Sequence, residues 1–310
     1  MKVTIVGAGN VGATCAQRIA EADIADVALI DIAEGLAAGK ALDLAEAAPL
    51  VGHSRRIVGG EDYDLAKGSD VVVITAGLPR KPGMTRDDLL AANGKIITQI
   101  VTELAKTAPD AIYIMVTNPL DVTTYIAHQI LGVPRERVMG MAGALDSVRF
   151  RAFIAMELGC APADIQAIVL GGHGDSMVPL PRYATAGGIA VTELISSARL
   201  EEIVERTRQG GTEIVSHLKT GGAFYAPAAG VAQMVAAIVR DEKRLLPASV
   251  LLQGEYGLED VFVGVPVKLG AAGVEEIIEL DLTDEELSAL HDSAEHVRRT
   301  VARWEEMQGA

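Results

Sequence analysis

A histidine held between glycines, in the stretch Gly171-Gly-His-Gly-Asp-Ser-Met-Val-Pro179, is the residue of this sequence best suited to move a proton. The apolar run Ile165 to Leu170 before it reads as a buried strand. His173 then stands on a strand-end loop without bulky neighbours, where a ligand can approach closely. Its imidazole titrates near neutral pH, as a general acid or base must. Taken by itself, such a pair equally describes a turn histidine satisfied by backbone, so its meaning depends on partners elsewhere. Three other places offer them. The segment Gly77 to Arg86 gathers Arg80, Lys81 and Arg86, with Pro79, Pro82 and Gly83 keeping it irregular. It reads either as a cationic lid for an anionic ligand or as a solvated charge run. Asn118 precedes Pro119 at the end of another apolar run and suits a hydrogen bond to a carbonyl or hydroxyl, or a helix cap. Asp146 and Arg149 share one face of a helix, the spacing of an ion pair.

A second kind of chemistry is written at the amino terminus. Val3 to Val6 is apolar, Gly7-Ala-Gly-Asn-Val-Gly12 follows, and a helical pattern runs to about Ala22 before Val27 to Ile30 closes on Asp31. A G-x-G-x-x-G turn between strand and helix, with an acid after the next strand, is a strong dinucleotide signal. Gly7 permits the turn, Gly9 lets backbone approach a pyrophosphate, and Gly12 lets helix pack on strand. The helix start offers N–H groups to phosphate. Asp31 would accept from ribose hydroxyls and repel a 2′-phosphate, which favours NAD over NADP.

These residues need a frame, and the rest of the chain supplies it. Apolar runs at 70–75, 111–116 and 137–141 alternate with helical patterns at 35–47 (stopped by Pro49), 86–106, 120–131 and 145–158. Strand and helix in alternation mean a parallel, doubly wound sheet of Rossmann type, with ligands beyond its carboxyl edge. After Leu170 the pattern changes to helices at 191–218 and 228–240, strands at 246–253, 261–269 and 274–278, and a charged helix from 284 to 306. The expected architecture is therefore a Rossmann domain at 1–143 followed by an α+β substrate-binding or catalytic domain at 144–310.

The formal net charge of −15 disfavours nucleic acid and anionic membranes as partners. Cys15 and Cys160 form no ligand-spaced pair, so no metal is expected, and their scarcity suits a reducing cytosol. Met1-Lys2 leads straight into a strand and the uncharged run 220–239 is interrupted by glycine and proline, so neither a signal peptide nor a membrane span is expected. Cytoplasmic location is the expectation.

Together, the Gly7–Gly12 turn with Asp31, the Thr75–Arg86 loop, Val116-Thr-Asn-Pro119, Leu145-Asp-Ser-Val-Arg-Phe-Arg151 and Gly171–Asp175 resemble the lactate/malate dehydrogenase family over essentially the whole chain. The resemblance implies that His173 exchanges a proton with the substrate oxygen and that Asp146 orients its ring. It implies Arg149 on the first substrate carboxylate, Arg86 polarising the ketone as the lid closes, and Asn118 on the same oxygen or its neighbour. Gly7, Ala8, Gly9, Asn10, Val11, Gly12, Asp31, Asn93, Val116, Thr117 and Asn118 would contact NAD. Family members acting on lactate usually carry glutamine at the lid position held here by Arg80, and those acting on malate carry arginine. A guanidinium can pair with the second carboxylate of oxaloacetate, whereas the methyl of pyruvate would leave it unpaired. The implied reaction is reversible oxidation of (S)-malate to oxaloacetate with NAD, a step of the tricarboxylic acid cycle. Lactate or another 2-hydroxy acid is the alternative. NAD-dependent glycosidases share the fold but typically need a metal on cysteine and histidine, and a silent NAD-binding protein would not need every reactive position. Homo-oligomers are implied, a tetramer before a dimer, with 35–47 and 145–158 as interface helices; with Met1-Lys2 next to the first strand, the amino-terminal arm some lactate dehydrogenases exchange is not expected.

Overall fold

Short runs of Val, Ile and Leu in this sequence become strands because each is flanked by helices that cover both of its faces. The computed structural model describes residues 1–79 and 83–309. In chain order the first half runs β1 (Lys2–Val6), α1 (Asn10–Glu21), β2 (Asp26–Ile30), α2 (Leu36–Val51) and β3 (Ile57–Gly60). It continues through β4 (Val71–Ile74), α3 (Arg86–Thr107), β5 (Ile112–Met115), α4 (Leu120–Leu131) and β6 (Val138–Gly140). The second half holds α5 (Ala142–Leu158), the two-residue strands β7 (Ile165–Gln166), β8 (Val169–Leu170), β9 (Val178–Pro179), β10 (Thr185–Ala186) and β11 (Ile189–Ala190), and α6 (Val191–Leu194). Then come α7 (Ser197–Leu218), α8 (Tyr225–Val239), β12 (Arg244–Gln253), β13 (Glu259–Gly270), β14 (Gly273–Ile277) and α9 (Asp284–Gly309).

Among the described residues the main sheet has nine strands, in the order β14-β13-β12-β6-β5-β4-β1-β2-β3. Its β3-β2-β1-β4-β5-β6 portion is parallel and has the doubly wound order of dinucleotide-binding folds. The antiparallel strands β12 to β14 extend this sheet rather than forming a separate one, joined where Ser249 pairs with Gly140. Side chains alternate between two cores. Val3 and Ile5 pack with α1 and α8, and Val6, Val72 and Ile74 pack with α3 and α4. Each fully buried aliphatic side chain stabilises by roughly 1.5–3 kcal/mol. Among the described residues no helix is long and apolar enough to cross a membrane.

Several elements differ from the sequence expectation, each for a local reason. Pro49 does not stop α2, which continues to Val51. Proline this near the end forfeits little helix hydrogen bonding, and the stop comes from Gly52 at φ 91°, whose N–H bonds the Ala48 carbonyl at 2.8 Å. The edge strand β3 was not expected because two of its four residues are glycine. A Cβ on Gly59 would stand 2.1 Å from the Ala37 carbonyl oxygen, so the close approach of α2 requires glycine there. The run 165–170 divides into β7, which joins β10 and β11, and β8, which joins β9. The helix expected at 191–218 breaks at Ile195 and Ser196, both extended, with Ile195 buried. Helix α5 starts at Ala142, earlier than Leu145.

Candidate active site

At the crossover between β1 and β4 the sheet order reverses, and the glycine turn lies there. A Cβ on Gly12 would fall 1.8 Å from the Gly7 carbonyl oxygen, so this position admits only glycine. Gly9 is different: its φ is −66° and an added Cβ would meet no atom of the described residues within 4 Å. Nothing in the fold demands glycine at that position, which fits a backbone cradle shaped for a ligand. Helix α1 begins beside it without a side-chain cap or an acid in its first turn, leaving its N–H groups for an anion. Asp31 is held by two backbone N–H donors, Ala8 at 2.6 Å and Ala33 at 2.9 Å, which fixes a carboxylate at the end of β2. Lys40, which sequence reasoning passed over, donates to the Ala8 carbonyl at 2.7 Å. These features fit a dinucleotide with free ribose hydroxyls. Gly9→Ala should therefore leave the melting temperature within about 2 °C while weakening NADH binding at least about tenfold, as read by fluorescence titration.

The segment at the end of β5 is stitched to the stretch that follows β4, at Ala76 and Leu78. Thr117 donates its hydroxyl to the Ala76 carbonyl at 2.7 Å. Asn93, 1% exposed on α3, gives its amide to the Asn118 carbonyl at 2.7 Å and the Leu78 carbonyl at 3.1 Å, and accepts from Leu78 N–H at 2.8 Å. Its amide is thus engaged within the protein and sets the relation between Leu78 and Asn118. Asn118 itself is exposed. Helix α3 starts with a capping box between Thr85 and Asp88, which places Arg86 as its first residue. Arg80 and Lys81 lie outside the described residues.

His173 follows β8 on a loop pinned from three sides. Gly171 pairs with Gly264 of β13, and Gly172 N–H donates to the Ser293 hydroxyl of α9 at 2.8 Å. The His173 N–H donates to the Asp121 carboxylate of α4 at 2.8 Å. The ring Nδ1 lies 2.9 Å from Asp146 Oδ2, a carboxylate 2% exposed on α5. The other oxygen of Asp146 faces Arg149 Nη1 at 3.5 Å. Among the described residues Arg149 Nε is buried and meets no acceptor, so this guanidinium has capacity for a further anion. Burial works to lower the His173 pKa, but the Asp146 carboxylate outweighs it and the net displacement is above the ordinary value. Burial lowers the pKa of Arg149, with Asp146 opposing, without bringing a guanidinium near deprotonation.

A cleft of about 680 Å³ opens onto this histidine, lined also by Arg86, Asn118, Asp175 and, from α9, Arg299. Arg86 reaches across it to pair with Asp175. Asp146 and Arg149 do not line the cleft. The structure thus joins His173, Asp146 and Arg149 in one chain of contacts and puts Arg86 and Asn118 on the cleft that His173 faces. It also reveals Asp121, Ser249, Ser293 and Asp175, which the sequence reading did not single out. Asp175 closes the Gly171–Asp175 motif and Asp121 follows Asn118-Pro-Leu, but an acid in a glycine loop or in the first turn of a helix is commonplace.

Two family models match this chain: lactate/malate dehydrogenase, NAD binding domain, over residues 1–140, and lactate/malate dehydrogenase, alpha/beta C-terminal domain, over residues 143–308. A malate dehydrogenase from Nostoc punctiforme is 56% identical over 99% of this chain and 94% of its own length. One from Thermomicrobium roseum is 57% identical over 97% of each chain. A solved malate dehydrogenase from Salinibacter ruber superimposes with a TM-score of 0.96 at 51% identity, covering 100% of this chain and 99% of that one. With the glycine cradle, the histidine–carboxylate pair and the cleft before it already in place, these matches settle descent: the chain belongs to the lactate/malate dehydrogenase family.

Proposed function

We propose that this chain interconverts (S)-malate and oxaloacetate with NAD as cofactor, His173 exchanging the proton at the substrate oxygen. The observation that carries this reading is the His173–Asp146 pair at 2.9 Å, its carboxylate buried and its ring on a cleft that Arg86 and Arg299 help to line. NAD, when bound, would supply the hydride-transfer chemistry in either direction. Asp146 accepts a hydrogen bond from Nδ1–H, which fixes the tautomer and leaves Nε2 for the substrate. It also steadies the imidazolium that forms when malate is oxidised. Arg149 holds one substrate carboxylate through its unmet guanidinium donors. Arg86 exchanges Asp175 for the substrate and stabilises negative charge at the reacting oxygen. Arg80 takes the second carboxylate, which excludes pyruvate by leaving an arginine unpaired. Asn118 binds the same oxygen or its neighbour. Gly7 to Gly12, Asp31 and the Val116–Asn118 backbone would hold the cofactor, with Asn93 bracing that edge.

High identity to malate dehydrogenases across the whole chain favours this substrate over lactate. Residues 1–143 would serve the nucleotide and 144–310 the substrate. The reading extends to a cytoplasmic homo-oligomer, a tetramer before a dimer. Helix α2 supports self-association because Leu42 and Leu50 on it are 61% and 93% exposed. Oxidation of NADH, followed separately with oxaloacetate and with pyruvate, tests the reading; comparable kcat/KM for both acids would remove it.

The sign of the pH dependence follows from His173. Reduction of oxaloacetate needs the protonated ring, so kcat/KM should be level at low pH and fall as pH rises through a pKa above the ordinary 6.5. Malate oxidation needs the neutral ring and should rise through the same pKa. Profiles measured in both directions should mirror one another, and a common limb below pH 6.5 would contradict the assignment.

A further inference from the structure

We infer that Asp121 is a positioning residue for the proton transfer: it anchors the backbone of His173 and supplies a second negative charge that balances the imidazolium. This rests on the reading of His173 as acid and base. Asp121 is 5% exposed at the start of α4. Both of its oxygens are engaged by donors, the His173 N–H at 2.8 Å and the Ser249 hydroxyl at 2.7 Å. Ser249 is itself fully buried on β12, at the pairing with β6 that joins the two halves of the sheet. The anchor for the catalytic loop is therefore built from the nucleotide half (α4), the sheet junction (β12) and the loop itself.

Charge accounting adds the second role. Asp146 has Arg149 beside it, whereas none of the hydrogen bonds or ion pairs found for Asp121 among the described residues comes from Lys or Arg. With His173 protonated, the set Asp121, Asp146, Arg149 and His173 sums to zero; with the ring neutral it carries one negative charge. The protonated ring is the balanced state, and Asp121 makes it so. Burial pushes the Asp121 carboxyl upward, with Ser249 and the His173 N–H opposing this. The other charged groups around the cleft at His173 are Arg86 and Asp87 on α3, Asp175 on the loop, and Arg299, Arg303 and His296 on α9. The cleft-side acids Asp87 and Asp175 are exposed and ion-paired, so solvent and partners screen their effect on the ring.

The test is Asp121→Asn, which keeps the side-chain shape and an acceptor for the His173 N–H but removes the charge. The falling limb of kcat/KM for oxaloacetate should move to lower pH by about one unit, with the Kd for NADH unchanged. A merely structural role would lower kcat or the melting temperature without moving that limb, and an unmoved limb overturns the charge role. Ser249→Ala leaves the charge and removes one anchor; kcat should fall about tenfold with the KM for NADH unchanged. Wild-type kcat in that variant overturns the anchoring role, and it serves as the working variant should Asp121→Asn not fold. His173→Asn in the same assays separates the two readings. If it stays active, the reading of His173 fails; if it is inactive while both Asp121 tests fail, only the role of Asp121 is lost.

Discussion

His173→Asn should lose on the order of 10³-fold in kcat, in both directions, while binding NADH within about twofold of the parent. Asparagine fits the space and retains polar atoms near Asp146, but it cannot exchange a proton near neutral pH. The loop should keep its place, because its anchors are backbone contacts to Asp121, Ser293 and Gly264 rather than contacts of the imidazole. The measurement is steady-state turnover beside fluorescence titration of NADH. Loss of both turnover and cofactor binding would indicate collapse of the site, and retained turnover would move the acid–base role to another group.

Arg80→Gln should lower kcat/KM for oxaloacetate on the order of 100-fold and raise that for pyruvate, narrowing the preference from both sides. Removing a guanidinium from a desolvated carboxylate pair costs about 3 kcal/mol. Pyruvate gains because its methyl group no longer faces an unpaired charge, a repulsive element as much as an attractive one. On the proposed roles Arg86 still polarises the ketone and Arg149 still holds the first carboxylate, so kcat for oxaloacetate at saturation should fall less than kcat/KM. Unchanged discrimination would move the selector away from Arg80.

The parallel half of the fold was legible in the sequence because its strands are buried on both faces and read as unbroken apolar runs, such as Val71–Ile74 and Ile112–Met115. The edge strand Ile57–Gly60 was not, because its glycines answer to the approach of α2 and not to strand propensity. The continuity of β12 to β14 with the parallel sheet was hidden as well: strand pairing at a distance, through Ser249 and Gly140, leaves no local pattern. The site divides in the same way. Gly9 and Asp31 announce themselves by spacing, whereas His173, Asp146 and Arg149 were ambiguous one by one and took their roles from the family resemblance. Asp121, Ser249 and Ser293 act through contacts between residues 52 to 128 positions apart, and a buried serine on a strand looks like any other. Asn93 shows the converse: expected at the cofactor, it is buried with its amide bonded to Leu78 and Asn118.

The most direct test of the central claim is to follow an isotope through one turnover. The purified protein would be given NADH carrying deuterium at both C4 positions together with oxaloacetate, and the product examined by mass spectrometry. The expected product is malate with one deuterium on C2, formed in preference to lactate when pyruvate competes. Malate without deuterium, or a deuterated lactate formed in preference from an equal mixture, would contradict it.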